Sequence, residues 1–396
     1  MAAYLVRRVV QMGAVALLVA FAAFTLLYLA PGGPVQQIQA VQSTTQRLNS
    51  DAVQIVMKRY DLDLYTFPRF TRWLIGHPKG PIEFGGQKFF GAAQVGCGEE
   101  GEAEVVYPDG RREKTNCLKP IYLNDLTTRT SSNGILALDF GLSQQILRER
   151  PVWQLVESRI GATLLLMGLS TFLAIAIGVP IGVYSAVKQY SRFDYVMTAV
   201  TFFGSGMPTL FLGLIGVILF SLTFQEWGLP YLPPNQAESA RDTLVPLLGD
   251  IQAGSLLDRI WHLVLPVTVL TFVNLSGWSR FVRSSMLEVL RQDYVRTARA
   301  KGLVERVVIL KHALRNSLIP FVTLIANVLP TLFGGAIITE TIFSWPGMGR
   351  LYINALTASD YTVAMAFIMI STFLTLVGFL ITDVLYTVVD PRIRLS

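Results

Sequence analysis

The side chains able to do chemistry in this chain are few, and their grouping says more than their number. Three histidines and two cysteines stand among 396 residues. They form none of the patterns that catalysis needs. There is no Gly-Lys dipeptide, hence no phosphate-cradling loop ending in Lys-Ser/Thr, no His-Glu-x-x-His and no Gly-x-Ser-x-Gly. What stands out is a run of cations from Arg280 to Arg315, RFVRSSMLEVLRQDYVRTARAKGLVERVVILKHALR. It is too charged to enter hydrocarbon and too helical for a linker. Its chemistry is that of a docking surface. Asp293, Tyr294, Arg296, Thr297, Ala298, Arg299, Ala300 and Lys301 read as one or two helical turns, and Gly302 as their stop. From Leu303 a second helix starts, with apolar residues at Val304, Val307, Val308 and Leu310. Small residues at 297, 298 and 300 admit a partner closely. An amphipathic helix resting on anionic lipid is the alternative reading.

The elements that must carry this segment are membrane spans. The chain is 52% hydrophobic and 15% charged, where soluble domains carry about 25% charged residues. The charges fall between apolar runs of about 20 residues, the length that crosses a hydrocarbon core. Six spans are expected, at about 9–30, 162–187, 195–224, 262–279, 318–339 and 363–382. The fourth is the weakest, short and broken by Pro266. Gly204, Ser205, Gly206, Met207 and Pro208 interrupt the third, either bending it or packing closely on a neighbour. The first run is longer than the apolar part of a signal peptide and is expected to stay as an anchor.

Short loops set the orientation. Arg7 and Arg8, Lys188 and Arg192, the nine cations from Arg280 to Arg315, and Arg392 and Arg394 all fall on one side. Arg241, Arg259 and Arg350 fall on the other. The positive-inside rule places both termini in the cytoplasm. The loop over 31–160 is then extracytoplasmic. A helix is expected in it over 41–60, and an insert over about 85–133. Within the insert, Pro108-Asp109-Gly110 between alternating residues predicts a β-hairpin. Cys97 and Cys117 bracket it and are expected to pair in an oxidising exterior, contributing on the order of 3 kcal/mol. A metal site there would need further Cys or His, so none is expected. The rest, 161–396, forms the membrane core and carries the basic segment, 280–317.

None of the six spans holds a charged residue at its middle, where ion-coupled carriers keep their relay groups. His262, beside Trp261, reads as an interfacial anchor and Asp383 as a helix-end carboxylate. Uphill transport by this chain would need energy from another subunit.

The basic segment resembles the EAA loop of binding-protein-dependent ABC transporter permeases: Asp293-Tyr-Val-Arg-Thr-Ala-Arg-Ala-Lys-Gly302, then Lys311-His-Ala-Leu-Arg-Asn316 and Ile319-Pro320. More narrowly it resembles the peptide-transporter branch, the oligopeptide, dipeptide and nickel permease B subunits. Ala30-Pro31-Gly32 after the first span, Asp139-Phe140-Gly141-Leu142-Ser143 with Pro151-Val152 and Ala162-Thr163-Leu164, and Glu340-Thr-Ile-Phe343-Ser-Trp345-Pro346-Gly347-Met-Gly349-Arg350-Leu351 with Ala355 and Asp360-Tyr361 resemble the same branch. The general pattern's Glu-Ala-Ala is replaced by Arg296-Thr297-Ala298, as suits the peptide branch. The cysteine-bearing insert is a larger departure.

The resemblance implies an all-α integral membrane protein of six helices, like a type I ABC importer permease, with a hairpin-bearing extracytoplasmic loop, in a prokaryotic inner membrane. It implies a non-catalytic subunit paired with a second permease, two ATPases and an extracytoplasmic solute-binding protein, with ATP and Mg in the ATPases and no cofactor in this chain. No nucleic-acid partner is expected. Residues 293–303 would seat on an ATPase, with Ala298, Ala300, Gly302 and Leu303 supplying shape and Arg299 and Lys301 a polar rim. Glu340, Phe343, Trp345, Pro346, Gly347, Gly349, Arg350 and Asp360 would form an outer gate or touch the binding protein. A membrane anchor is the alternative for Trp345. Peptides are the favoured cargo, with nickel, glutathione or another small solute open. A secondary carrier or passive channel is the rival class.

Overall fold

The structure, a computed structural model, describes residues 2–29, 57–58, 61–84, 87–106, 112–129, 132–147, 149–246, 249–318, 328 and 337–389. Most of the expected fifth span and of the helix over 41–60 lies outside these residues. So do Pro31-Gly32, the Pro108-Asp109-Gly110 turn, Pro320, Pro330 and the tail at Arg392 and Arg394. The chain divides into two compact units, one of residues 1–13, 156–354 and 370–396, the other of residues 14–155 and 355–369.

The first unit is organised by α6, Leu256–Val289. Ser255 caps it, its hydroxyl accepting from the Asp258 amide at 3.2 Å. The helix is continuous for 34 residues through Pro266, which corrects the short, broken fourth span. Proline forfeits one backbone hydrogen bond. Buried Leu265, Val267, Val269 and Leu270 around it supply more through apolar burial. His262 is buried as well, its Nδ1 2.9 Å from the Asp258 carbonyl, so it is an internal residue rather than an interfacial anchor.

Against α6 lies α3, Val152–Val187, which starts ten residues before the expected second span. Gly178 and Gly182 face Leu275, Trp278 and Ser279 of α6. This Gly-x-x-x-Gly spacing lets two helices approach to backbone contact in lipid; a Cβ at Gly182 would collide with the Ser279 carbonyl. The expected third span is two helices. α4, Arg192–Gly206, ends before Met207, which is extended at φ −90°, ψ 132°. A residue before proline is pushed out of helical geometry, and Pro208 does that here. α5 then runs over Thr209–Glu226, with Val217–Thr223 in wider π geometry. The interruption at 204–208 is therefore present, but only α5 has the length to span.

Five helices among the described residues are long and apolar enough to cross a membrane: Val6–Leu29 within α1 (Ala2–Leu29), α3, α5, α6 and Tyr361–Val384. After α6 come α7, Asp293–Ala300, and α8, which begins at Glu305–Val307, widens over Val308–Leu314 and ends at Arg315–Ser317. α9 (Ile337–Ile342), α10 (Met348–Thr357) and α11 (Tyr361–Val389) complete the helices. Arg8 and Asp383, near the ends of α1 and α11, form an ion pair at 2.7 Å.

In the second unit, Ala20 and Phe24 of α1 pack with Phe70 and Leu74 of α2 (Thr66–Ile75) and with Met365. Arg69 lies over the Tyr28 ring at 4.1 Å. A second core of Leu64, Val95, Ile121, Leu123 and Leu126 sits under small sheets. The strands are β1 (Ile82–Phe84), β2 (Gln87–Phe89), β3 (Gln94–Cys97), β4 (Glu100–Val106), β5 (Arg112–Cys117) and β6 (Pro120–Tyr122). β4 pairs β5 antiparallel with Val106 opposite Arg112, β1 pairs β2, and β3 pairs β6. Cys97 and Cys117 are joined by a disulfide, Cα to Cα 5.8 Å. Arg129 grips Asp63 through two bonds at 2.7 and 2.6 Å, tying the hairpins to residues N-terminal of α2. One hairpin was expected. The three-residue strands of β1–β2 and of β7 (Thr243–Val245) and β8 (Gly249–Ile251) in the first unit are too short to show a period.

Candidate functional site

The basic segment is a built surface. α7 ends at Ala300, and Gly302 takes φ +74°, a left-handed turn that glycine adopts without strain. The underside of α7 is closed by its own chain: Val295, Ala298 and Val308 are buried together with Val289 and Leu290 packed on them. Arg299 reaches across the turn to Glu305, Nη2 to Oε1 at 2.8 Å. That bond holds the Glu305 carboxyl below the usual carboxylate range and raises the Arg299 guanidinium.

The upper face is open. Asp293, Tyr294, Arg296, Thr297, Arg299, Ala300, Lys301, Gly302 and Leu303 are all exposed. Ala298, expected at the contact, faces inward instead. Val304, Val307 and Leu310 are exposed and only Val308 of the expected apolar face is buried. α8 is laced to α6, since Ser285 Oγ donates to the Ser317 carbonyl at 2.8 Å. Ala186, Val282, Met286 and Ala313 form the core that joins α3, α6 and α8. α7 thus packs on α6 and α8, and the core of α8 reaches α3.

The 340–350 residues make a different object. Glu340 is fully buried. Thr163 of α3 donates to its Oε1 at 2.7 Å and the Arg350 amide to its Oε2 at 3.0 Å. Thr163 also accepts from the Met348 amide at 2.8 Å, so one hydroxyl bridges both. Burial nevertheless pushes the Glu340 carboxyl up. Gly347 lies against this carboxylate, where a Cβ would collide. Trp345 is 3% exposed, its Nε1 donating to the Ala162 carbonyl at 2.9 Å, so the anchor reading of Trp345 is corrected. Phe343 and Gly349 are also buried, while Pro346 and Arg350 are half-buried; Arg350 donates to the Ser344 carbonyl.

In the second unit, Asp360 precedes α11 and is fully buried. Its Oδ2 accepts from Ser143 Oγ at 2.5 Å and from the amides of Gln144, Gln145 and Ile146 at 3.0, 3.0 and 3.1 Å. Of the 204–208 residues, Gly204 is buried against Ser276 and Phe272 of α6. Ser205, Gly206 and Pro208 are exposed and Met207 half-buried.

Sequence reasoning missed one pair outright. Asp194 at the start of α4 takes Arg283 of α6 through two bonds at 2.7 and 2.9 Å. Hydrogen bonding from Arg283 holds the Asp194 carboxyl below its ordinary value. The available signal was an acidic residue directly after the basic turn, with no partner nearby in the chain.

Comparison with known proteins meets this architecture at the membrane core. The profile described as "Binding-protein-dependent transport system inner membrane component" matches residues 178–395. The oligopeptide transport system permease protein AppB of Bacillus subtilis is 42% identical over 257 residues, covering 65% of this chain and 76% of that protein. The dipeptide transport system permease protein DppB of Escherichia coli is 40% identical over 271 residues, covering 66% and 78%. The di/tripeptide transport system permease protein DppB of Pseudomonas aeruginosa is 40% identical over 259 residues, covering 64% and 76%. Among solved structures, an inward-facing MetNI methionine ABC transporter aligns over 60% of this chain at 16% identity and a TM-score of 0.46, a likeness that carries no argument. The chain belongs to the family of binding-protein-dependent transport system inner membrane components, the multi-pass, non-catalytic permeases of ABC importers.

Proposed function

We propose that this permease imports peptides, as the names of its relatives suggest for them, and that residues 293–303 receive the stroke of an ATPase subunit. The carrying observation is the two-sided build of α7. Val295 and Ala298 fasten it to Val308 below, while Tyr294, Thr297, Ala300 and Leu303 stand open above. A helix held this way transmits a push as a rigid body. The basic edge then lies in the cytoplasm, with both termini. The working assembly holds a second permease, two ATPases that carry ATP and Mg, and a solute-binding protein outside. Gly204 to Pro208 line or bend the path. The buried Glu340 sets the shape of the outer mouth, and a binding protein meets the exposed residues around it.

Co-purification with the ATPases tests the coupling site. Ala300 is exposed, so Ala300→Trp alters the open face and spares the packed one. Gly302→Pro removes the left-handed turn. We expect both variants to lose the ATPases while the purified chain keeps its helical content; retention of the ATPases by both would contradict the assignment. A panel of labelled dipeptides, nickel and glutathione offered to vesicles holding the full complex decides the cargo, and peptide uptake exceeding the others is the expected result.

A further inference from the structure

A cleft of about 220 Å³ opens between α3, α4 and α6. Arg280, Arg283, Ser185, Thr198, Phe202 and Ser284 line it, among others. Its polar groups are unevenly satisfied. Arg283 is taken by Asp194, so those two charges cancel. Arg280 makes no ion pair among the described residues; it lies over the Phe202 ring at 5.3 Å. Ser185 is 1% exposed, and its hydroxyl has no hydrogen-bond partner among the described residues. A buried hydroxyl without a partner is costly, and its place in the wall of an open cleft points to a ligand that supplies one.

The cleft therefore offers one uncompensated cation and, in its wall, one unpartnered hydroxyl. An anion with several acceptor oxygens, such as a phosphate, answers both. The surroundings add an apolar requirement. Beyond Phe202, α4 exposes Tyr195, Val196, Ala199 and Phe203, a greasy face continuous with the rim. Lys188 stands just before α4 and Arg192 opens it, so the cleft sits at the basic edge of the membrane core, where headgroups lie. We infer that this cleft holds the phosphate of an anionic phospholipid, paired with Arg280 and accepting from Ser185, with acyl chains along the Tyr195–Phe203 face. Free inorganic phosphate shares the headgroup chemistry but makes no use of the apolar face.

Native mass spectrometry of the detergent-purified full chain, and of its complex with the partner subunits, reads the site directly. The probes are dioleoylphosphatidylglycerol, dioleoylphosphatidylcholine and inorganic phosphate. We expect phosphatidylglycerol to be retained about tenfold better than phosphatidylcholine, about tenfold less after Arg280→Gln and about threefold less after Ser185→Ala. Ser185→Ala leaves the packing intact, so a loss there is not a folding defect. Equal retention of the two lipids, or retention unmoved by both substitutions, would overturn the inference. Inorganic phosphate bound as tightly as the lipid would show a free-anion site instead. Loss of the lipid on assembly of the complex would mean that a protein helix covers the cleft, which also overturns it.

Discussion

Asp194 and Glu340 are both buried carboxylates, yet their surroundings act on them in opposite directions. Arg283 stabilises the charged form of Asp194, so its folded pKa lies below the unfolded value. The stability it adds is present above the ordinary carboxylate range, near pH 4, and is lost as pH falls through the folded value. We expect Asp194→Asn to lower the thermal midpoint by a constant amount at neutral pH, with the two melting curves converging under acid. At pH 7 the loss is about 1–3 kcal/mol, since the half-buried Arg283 guanidinium is left without its partner. Burial acts the other way on Glu340. Its folded pKa lies above the unfolded value, so its contribution is complete at low pH and declines as pH rises through the folded value. Glu340→Gln removes that decline, and a melting series rising from about pH 4 is expected to be flatter than wild type. Thr163→Val leaves the Met348 amide and one carboxylate oxygen unpaired at once, at a cost of about 1–3 kcal/mol. Arg299 and Glu305 are a weaker case. Their side chains are 43% and 52% exposed, so Glu305→Ala is expected to cost under about 1 kcal/mol while Val295→Asp disrupts the segment outright. A melting comparison of those two variants separates charge from packing as the cause of its shape.

At the scale of elements, the disulfide and the glycine contacts give the sharpest expectations. Cys97→Ser with Cys117→Ser frees the base of the β4–β5 hairpin. The loss is local, about 3 kcal/mol by loop closure, and limited proteolysis is expected to cut within the insert while the helices stay intact. The helices themselves were largely legible in the sequence, because apolar runs of span length have few other uses. The α7–Gly302–α8 break was legible too, from one glycine between two polar-apolar patterns. Other features were not. The continuity of α6 through Pro266 depends on packing from both sides, which local chain geometry does not contain. The split of the third span depends on Met207 being extended before Pro208, a preference that the long apolar run masked. The grips on Asp360 by Ser143 and on Glu340 by Thr163 join residues 217 and 177 positions apart. No short-range pattern announces them, although polar residues standing alone beside apolar runs marked both ends.

For the whole molecule, the central claim is that the chain has no engine of its own and is moved through a small fastened helix. Among the described residues, buried carboxylates such as Asp194, Glu340 and Asp360 are engaged in fixed contacts, with Arg283, Thr163 and the 143–146 turn respectively. α7, by contrast, is open on one face and coupled on the other to α6 and, through the core shared with α8, to α3. The measurement that bears on this most directly is uptake of a labelled dipeptide into proteoliposomes, with the chain alone, with the full complex, and with the full complex carrying Ala300→Trp. We predict accumulation against a gradient only in the wild-type complex supplied with ATP. Accumulation by the chain alone, or undiminished accumulation by the Ala300→Trp complex, would contradict the account.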